Sequence, residues 1–362
     1  MTLNYSRSLS QCRRQLNAQR HFMAKLKSHF KTVFKTLLGF LLVFYVLKSK
    51  MVDFTSLKQL LFTPEHLLVA FLLLSFSTLC CSFRWYLIMR IQSLSQAFSS
   101  TFSLFMIGSF FNTFMPGSVG GDLIKAWYIA GRVPEKRTRA VFSVLIDRVL
   151  GLTVMFSYSA VTLLFFTEWL NLNYQLKIAA FFVWLFSGCS LAFVILFFWP
   201  PFWSLSLTQK FIGLLHKNKR IGEITSAMMR FRDHFWLFMA TIVLSALSIL
   251  GSVLFHVYLG HLLKLPLSFG QYFFIIPLAV TVSAVPLLPG GIGTGQVAFF
   301  TLFKWMGMPD PELGGTLCTI MQVYTILYNC LGAIFYLKSK RKISTEPSKS
   351  ALSQLGTPSP CL

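Results

Sequence analysis

The feature that most constrains this chain is the recurrence of uninterrupted apolar runs about as long as a bilayer is thick. Candidate full spans lie at 33–47, 66–83, 140–166, 177–199, 236–258 and 315–337, the first of them short. A hydrocarbon core of roughly 30 Å takes about 20 apolar helical residues. With no water there, each backbone polar group must be satisfied inside the segment, which a helix does. The expected fold class is therefore all-α: a polytopic helical membrane protein. Composition agrees. Only 12% of the 362 residues are charged, against about 25% in an ordinary soluble domain. This excludes a disordered chain, a collagen-like chain and a typical water-soluble enzyme.

The expected organisation is a basic N-terminal tail (1–32), a transmembrane domain (33–338) and a polar C-terminal tail (339–362). The net charge of +22 invites a nucleic-acid reading, but the basic residues sit beside the apolar runs. Residues 1–35 carry Arg7, Arg13, Arg14, Arg20, Lys25, Lys27, Lys31 and Lys35 with no acid, and Lys338, Lys340, Arg341 and Lys342 follow the last span. That is the positive-inside pattern. It places both termini in the cytoplasm, along with the basic stretches 84–90, 132–139 and 210–232; Lys48, Lys50 and Lys58 fit this scheme badly. The first run follows a long basic leader and reads as an uncleaved span. The seven cysteines lie mostly in apolar runs without a CxxC pair, so they read as small core residues rather than a disulfide framework or a metal site. No cofactor is expected: there is no HExxH, no GxxxxGK and no GxSxG. Residues 204–235 read as an amphipathic surface helix.

Two further apolar segments, 98–131 and 271–306, are interrupted by Pro and Gly. The first reads Phe-Met-Pro-Gly-Ser-Val-Gly-Gly-Asp from Phe114 to Asp122, the second Leu-Pro-Gly-Gly-Ile-Gly-Thr-Gly from Leu288 to Gly295. Aligned on the prolines, they match at Pro116/Pro289, Gly117/Gly290, Val119/Ile292 and Gly120/Gly293. Flanking charge puts the ends of the first inside and of the second outside. Each is then a re-entrant hairpin, entering from opposite faces, in an inverted repeat with six full spans. The alternative is two kinked full spans, making eight. Broken helices in inverted halves build transporter binding sites where the breaks meet.

Such breaks expose backbone N–H groups beside a helix N-terminus, so Gly117, Gly120, Gly121, Gly290, Gly291 and Gly293 are candidates to cradle a phosphate or carboxylate. Few ionisable residues lie nearby. Asp122 follows the first Gly run, either as a helix-start residue or as a functional acid, with Lys125 on the same helix face. Asp147 lies eight residues past Arg139, about 12 Å deeper along a helix, too deep to snorkel. Asp147 and Arg148 therefore face a bundle interior or a wet cavity. Adjacent side chains diverge by about 100°, so they need separate partners. Lys125 for Asp147 and a substrate phosphate for Arg148 form one arrangement, an ion-pair clamp between helices another. Asn112 reads as a cap or a ligand contact.

Asn112 to Lys125 (NTFMPGSVGGDLIK), Ala140 to Leu152 (AVFSVLIDRVLGL) and Pro286 to Val297 (PLLPGGIGTGQV) resemble the lysylphosphatidylglycerol synthase transmembrane-region family, also described as flippase-like. The resemblance spans about residues 33–340. It implies lipid translocation between leaflets, or handling of lipid-linked headgroups, in a bacterial inner membrane. The positions it implicates are Asn112, Pro116, Gly117, Gly120, Gly121, Asp122, Lys125, Asp147, Arg148, Pro289, Gly290, Gly291 and Gly293. Full synthases carry a further soluble aminoacyl-transfer domain, which the 339–362 tail does not supply. The leading expectation is a flippase-like protein for an anionic phospholipid or lipid-linked headgroup. The alternative is a membrane-embedded enzyme, or an accessory to a lipid-modifying enzyme, in aminoacyl-lipid or lipid-linked sugar synthesis. Membrane lipids are the expected partners in either case, and nucleic acid is not.

Overall fold

The structure, a computed structural model, describes residues 63–115, 120–199, 219–283 and 291–345. The described residues form ten α-helices and no strand. They are α1 (Pro64–Ile91), α2 (Phe98–Phe114), α3 (Gly120–Arg132), α4 (Arg137–Phe165), α5 (Tyr174–Phe198), α6 (Lys219–Asp233), α7 (Phe235–Leu262), α8 (Phe269–Ser283), α9 (Thr294–Trp305) and α10 (Glu312–Thr345). Short 3-10 turns precede α4 and α5. Five helices, α1, α4, α5, α7 and α10, are long and apolar enough to cross a bilayer. They match five of the six expected spans. The run at 33–47 lies outside the described residues, as do the N-terminal tail and residues 346–362.

Local sequence sets the helix ends. Pro64 at the first helical position and Glu65 in the first turn start α1. The Asn173 side chain accepts from the Gln175 N–H at 3.1 Å to start α5. α1 runs to Ile91, past Arg84, where the expected span stopped at residue 83. The arginine does not end the helix because it is buried against an acid of α4.

Apolar side chains fill the core and also cover the outside of the spans. Leu68, Leu164, Phe181 and Leu191 of the spans face outward. Arg84, Asp122, Lys125, Asp147 and Gln296 are buried. An outer surface of this kind belongs in hydrocarbon, with charges turned to the bundle interior.

Neither interrupted segment is a single kinked rod. α2 and α3 have 17 and 13 residues, roughly 26 and 20 Å at the helical rise, short of the bilayer core. They fold back on each other so closely that a Cβ on Gly121 would sit 1.9 Å from the Gly108 carbonyl oxygen. α8 and α9, with 15 and 12 residues, pack together in the same way. Both segments are hairpins.

The two hairpins enter from opposite ends. α1 and α7 lie antiparallel at the centre: His66 Nδ1 meets Tyr258 Oη at 2.9 Å, and Ser77 Oγ meets Ser248 Oγ at 3.1 Å. The first hairpin hangs from the C-terminal end of α1 and the second from that of α7, so their mouths face opposite ways. The separation of 171 residues between Ser77 and Ser248 also relates Pro64 to Phe235, Ile91 to Leu262 and Phe98 to Phe269. It relates Ser93 to Lys264, the two described non-glycine residues with positive φ, at 54° and 53°. Both stand just beyond a helix end, where a left-handed residue lets the next amide bond back: Leu94 to the Met89 carbonyl, Leu265 to that of Gly260, each at 2.9 Å. The halves α1–α4 and α7–α10 are thus an inverted repeat. They interlock, α2 packing on α10 and α8 on α4.

α5 and α6 stand outside the repeat. The described part of the expected 204–235 surface helix is α6. It lays buried Ala227 and Phe231 against Phe142 and Phe238 and breaks at His234 before α7 begins.

Candidate functional site

Beside the start of α3, a cavity of about 280 Å³ opens between the two halves. Ser77 and Ser248 lie on its floor, Pro277 and Val280 of α8 form one wall, and charged residues of α1, α3 and α4 form the other. Three cations and two carboxylates meet there, an excess of one positive charge. Arg84 Nε donates to Asp147 Oδ1 at 2.7 Å, and Arg84 Nη1 to Ser245 Oγ at 3.1 Å. Asp122 accepts from Lys125 Nζ at 2.7 Å and, through its other oxygen, from Arg148 Nε. Lys125 Nζ also stands over the rings of Phe105 and Trp85, 4.6 and 5.3 Å from their centroids, a setting that holds an ammonium with little water.

The pairing differs from the expected Lys125–Asp147 contact. Lys125 takes Asp122, three residues back on its own helix, and Asp147 takes Arg84. Arg84 escaped sequence reasoning because it was assigned to a basic loop. The signal that finds it is the apolar stretch Trp-Tyr-Leu-Ile-Met directly after it, which continues the span. Burial also separates the charges. The side chains of Arg84, Lys125, Asp122 and Asp147 are 9% exposed or less, whereas that of Arg148 is 40% exposed. Arg148 is the most exposed of the three cations in the cavity.

Asn112 joins the hairpin arms: its Oδ1 accepts from the Gly121 N–H at 2.6 Å. Asn112, Asp122, Lys125, Asp147 and Arg148 line the cavity. Gly120 and Gly121 sit immediately behind it, buried at the start of α3. Pro116, Gly117, Pro289 and Gly290 lie outside the described residues.

Gly291 and Gly293 are not among the cavity-lining residues. They are held in a neutral clasp against α10. Gln322 Nε2 donates to the Gly291 carbonyl at 3.1 Å, Gln296 Nε2 to Gln322 Oε1 at 2.8 Å, and the Gly293 N–H to Gln296 Oε1 at 2.6 Å. Positive φ at Gly291 and Gly293, 70° and 83°, makes glycine necessary there. Among the described residues the second break therefore turns its polar backbone inward to α10. The second half faces the cavity with apolar α8 and with Ser248 and Ser252 of α7.

Fold and site together define a polytopic membrane protein built of two inverted, hairpin-bearing halves around a charged central cavity. The chain belongs to the lysylphosphatidylglycerol synthase transmembrane-region family, whose model matches residues 32–332. It is also similar to the UPF0104 membrane protein MJ1595 of Methanocaldococcus jannaschii, 24% identical over 315 residues, covering 79% of this chain and 88% of that protein. No solved structure matches.

Proposed function

We propose that this protein carries the anionic headgroup of a phospholipid, or of a lipid-linked intermediate, between the leaflets of a bacterial inner membrane, with both termini cytoplasmic. The observation that carries this reading is the excess of one cation among the described residues lining a cavity between apolar spans, where an unneeded charge costs about 2.5–3.5 kcal/mol. Arg148 meets the headgroup phosphate first, and its planar guanidinium suits a phosphate's paired oxygens. Asp122 pairs with both Arg148 and Lys125. An arriving phosphate joins Asp122 on the exposed side of Arg148, and its negative charge offsets the excess cation without stranding the buried carboxylate. Arg84 and Asp147 hold the wall behind.

The test is exchange of fluorescent phosphatidylglycerol between leaflets of reconstituted vesicles, read by quenching from outside. Arg148→Gln is expected to slow exchange about tenfold, the worth of one charge-assisted hydrogen bond. Unchanged exchange in both Arg148→Gln and Asp147→Asn removes these residues from the mechanism. A lipid species missing from extracts of cells lacking the protein, with leaflet distribution intact, replaces transport by a part in lipid synthesis.

A further inference from the structure

α4 is used on both faces. Asp147, Arg148, Gly151, Leu152 and Met155 line the charged cavity. Ile146, Val149, Leu150 and Thr153, on the opposite side by the helical repeat of about 100° per residue, line a second space. It is a groove of about 340 Å³ between α4, α5, α6 and α7, walled by Phe193, Phe197 and Phe238 among others. Among the described residues its polar lining is Thr153, Cys189 and Ser190. Along α5 it runs from Phe186 to Phe198, roughly 18 Å at the helical rise, which is close to the hydrocarbon depth of one leaflet.

Among the described residues no basic residue lines the groove itself, but two arginines stand just beyond its lining residues on α4 and α6. Arg139 lies on the same face of α4 as Ile146, two turns nearer the helix start. Arg232 follows Phe231, the α6 residue that closes the groove. Both arginines are half-buried, and among the described residues neither side chain has a hydrogen bond or ion pair. Over Lys219–Asp233 four basic residues face two acids.

We propose that this groove is a binding site for an anionic phospholipid, distinct from the transport cavity: one acyl chain lies along α4 and α5, and the phosphate rests on Arg139 and Arg232. Apolar walls of about one-leaflet length, with two arginines outside any ion pair just beyond them, match that ligand. The proposal does not depend on the transport reading.

Cys189, exposed on the groove wall, is a built-in reporter. Cys12, Cys81, Cys330 and Cys361 are replaced by Ser, leaving Cys80 and Cys318 buried, and Cys189 is labelled with bimane. The protein is placed in nanodiscs containing rising fractions of brominated phosphatidylglycerol or brominated phosphatidylcholine. Phosphatidylglycerol is expected to quench at a lower mole fraction than phosphatidylcholine, and Arg139→Gln and Arg232→Gln each to shift its curve about fivefold. Identical curves for the two lipids mean bulk lipid at the groove and overturn the proposal. So does absence of quenching by either, which means that residues 200–218 or a second copy fill it. So does a preference that survives the double substitution. Mass spectrometry of wild-type protein with native cysteines gives a second measure: retained phosphatidylglycerol is expected to fall in the Arg139→Gln/Arg232→Gln variant, and unchanged retention counts against the site.

Discussion

At the scale of single residues, the cavity is a problem in paired charges. Arg84 and Asp147 are both buried and bond at 2.7 Å. Removing one partner of such a pair leaves the other uncompensated, at a cost of about 3–5 kcal/mol, whereas replacing both by apolar groups is close to neutral. Asp147→Asn is therefore expected to lower the midpoint of thermal unfolding in detergent, and Arg84→Met with Asp147→Leu to recover most of it. A double variant no more stable than the single one removes the pair from the stability argument. Half of this pair was legible in the sequence: depth alone made Asp147 demand a partner. The partner was not, because an arginine near the end of an apolar run reads as a flanking charge until the helix is seen to continue to Ile91.

At the scale of elements, the two hairpins are alike in backbone and unlike in what holds them. The first is tied to α4 by ions, Asp122 on Arg148. The second is tied to α10 by amides, Gln322 on Gly291 and Gln296. Truncating Gln322 strands buried polar groups, at about 1–3 kcal/mol. Gln322→Leu is expected to speed hydrogen exchange at Gly293 and Gly295 while leaving Gly121 protected by Asn112. Equal acceleration in both hairpins means global loosening and refutes a local clasp. Matched Pro-Gly breaks made both hairpins legible. The clasp was not, because Gln296 and Gln322 are 26 residues apart and neutral amides carry none of the cost that draws attention to a charge in an apolar run.

At the scale of the whole molecule, the architecture fixes which surfaces share a side. Arg132 ends the first hairpin and Lys304 lies at the end of the second, both exposed. Single cysteines at these positions in sealed vesicles are expected to react with a membrane-impermeant maleimide from opposite faces. Labelling of both from one face contradicts the inverted arrangement. The expectation of opposed hairpins came from loop charge alone. What it lacked was the register at Ser77 and Ser248, which only the packing of α1 on α7 exposes. The repeat is, however, unequal. Among the described residues every buried or cavity-lining Lys, Arg, Asp and Glu belongs to the first half. Any shift of the first half along the membrane normal thus carries net charge through the electric field, at about 2.3 kcal/mol per charge for each 100 mV crossed. Among the described residues the second half has no such buried charge, so membrane voltage acts unequally on two architecturally equivalent halves.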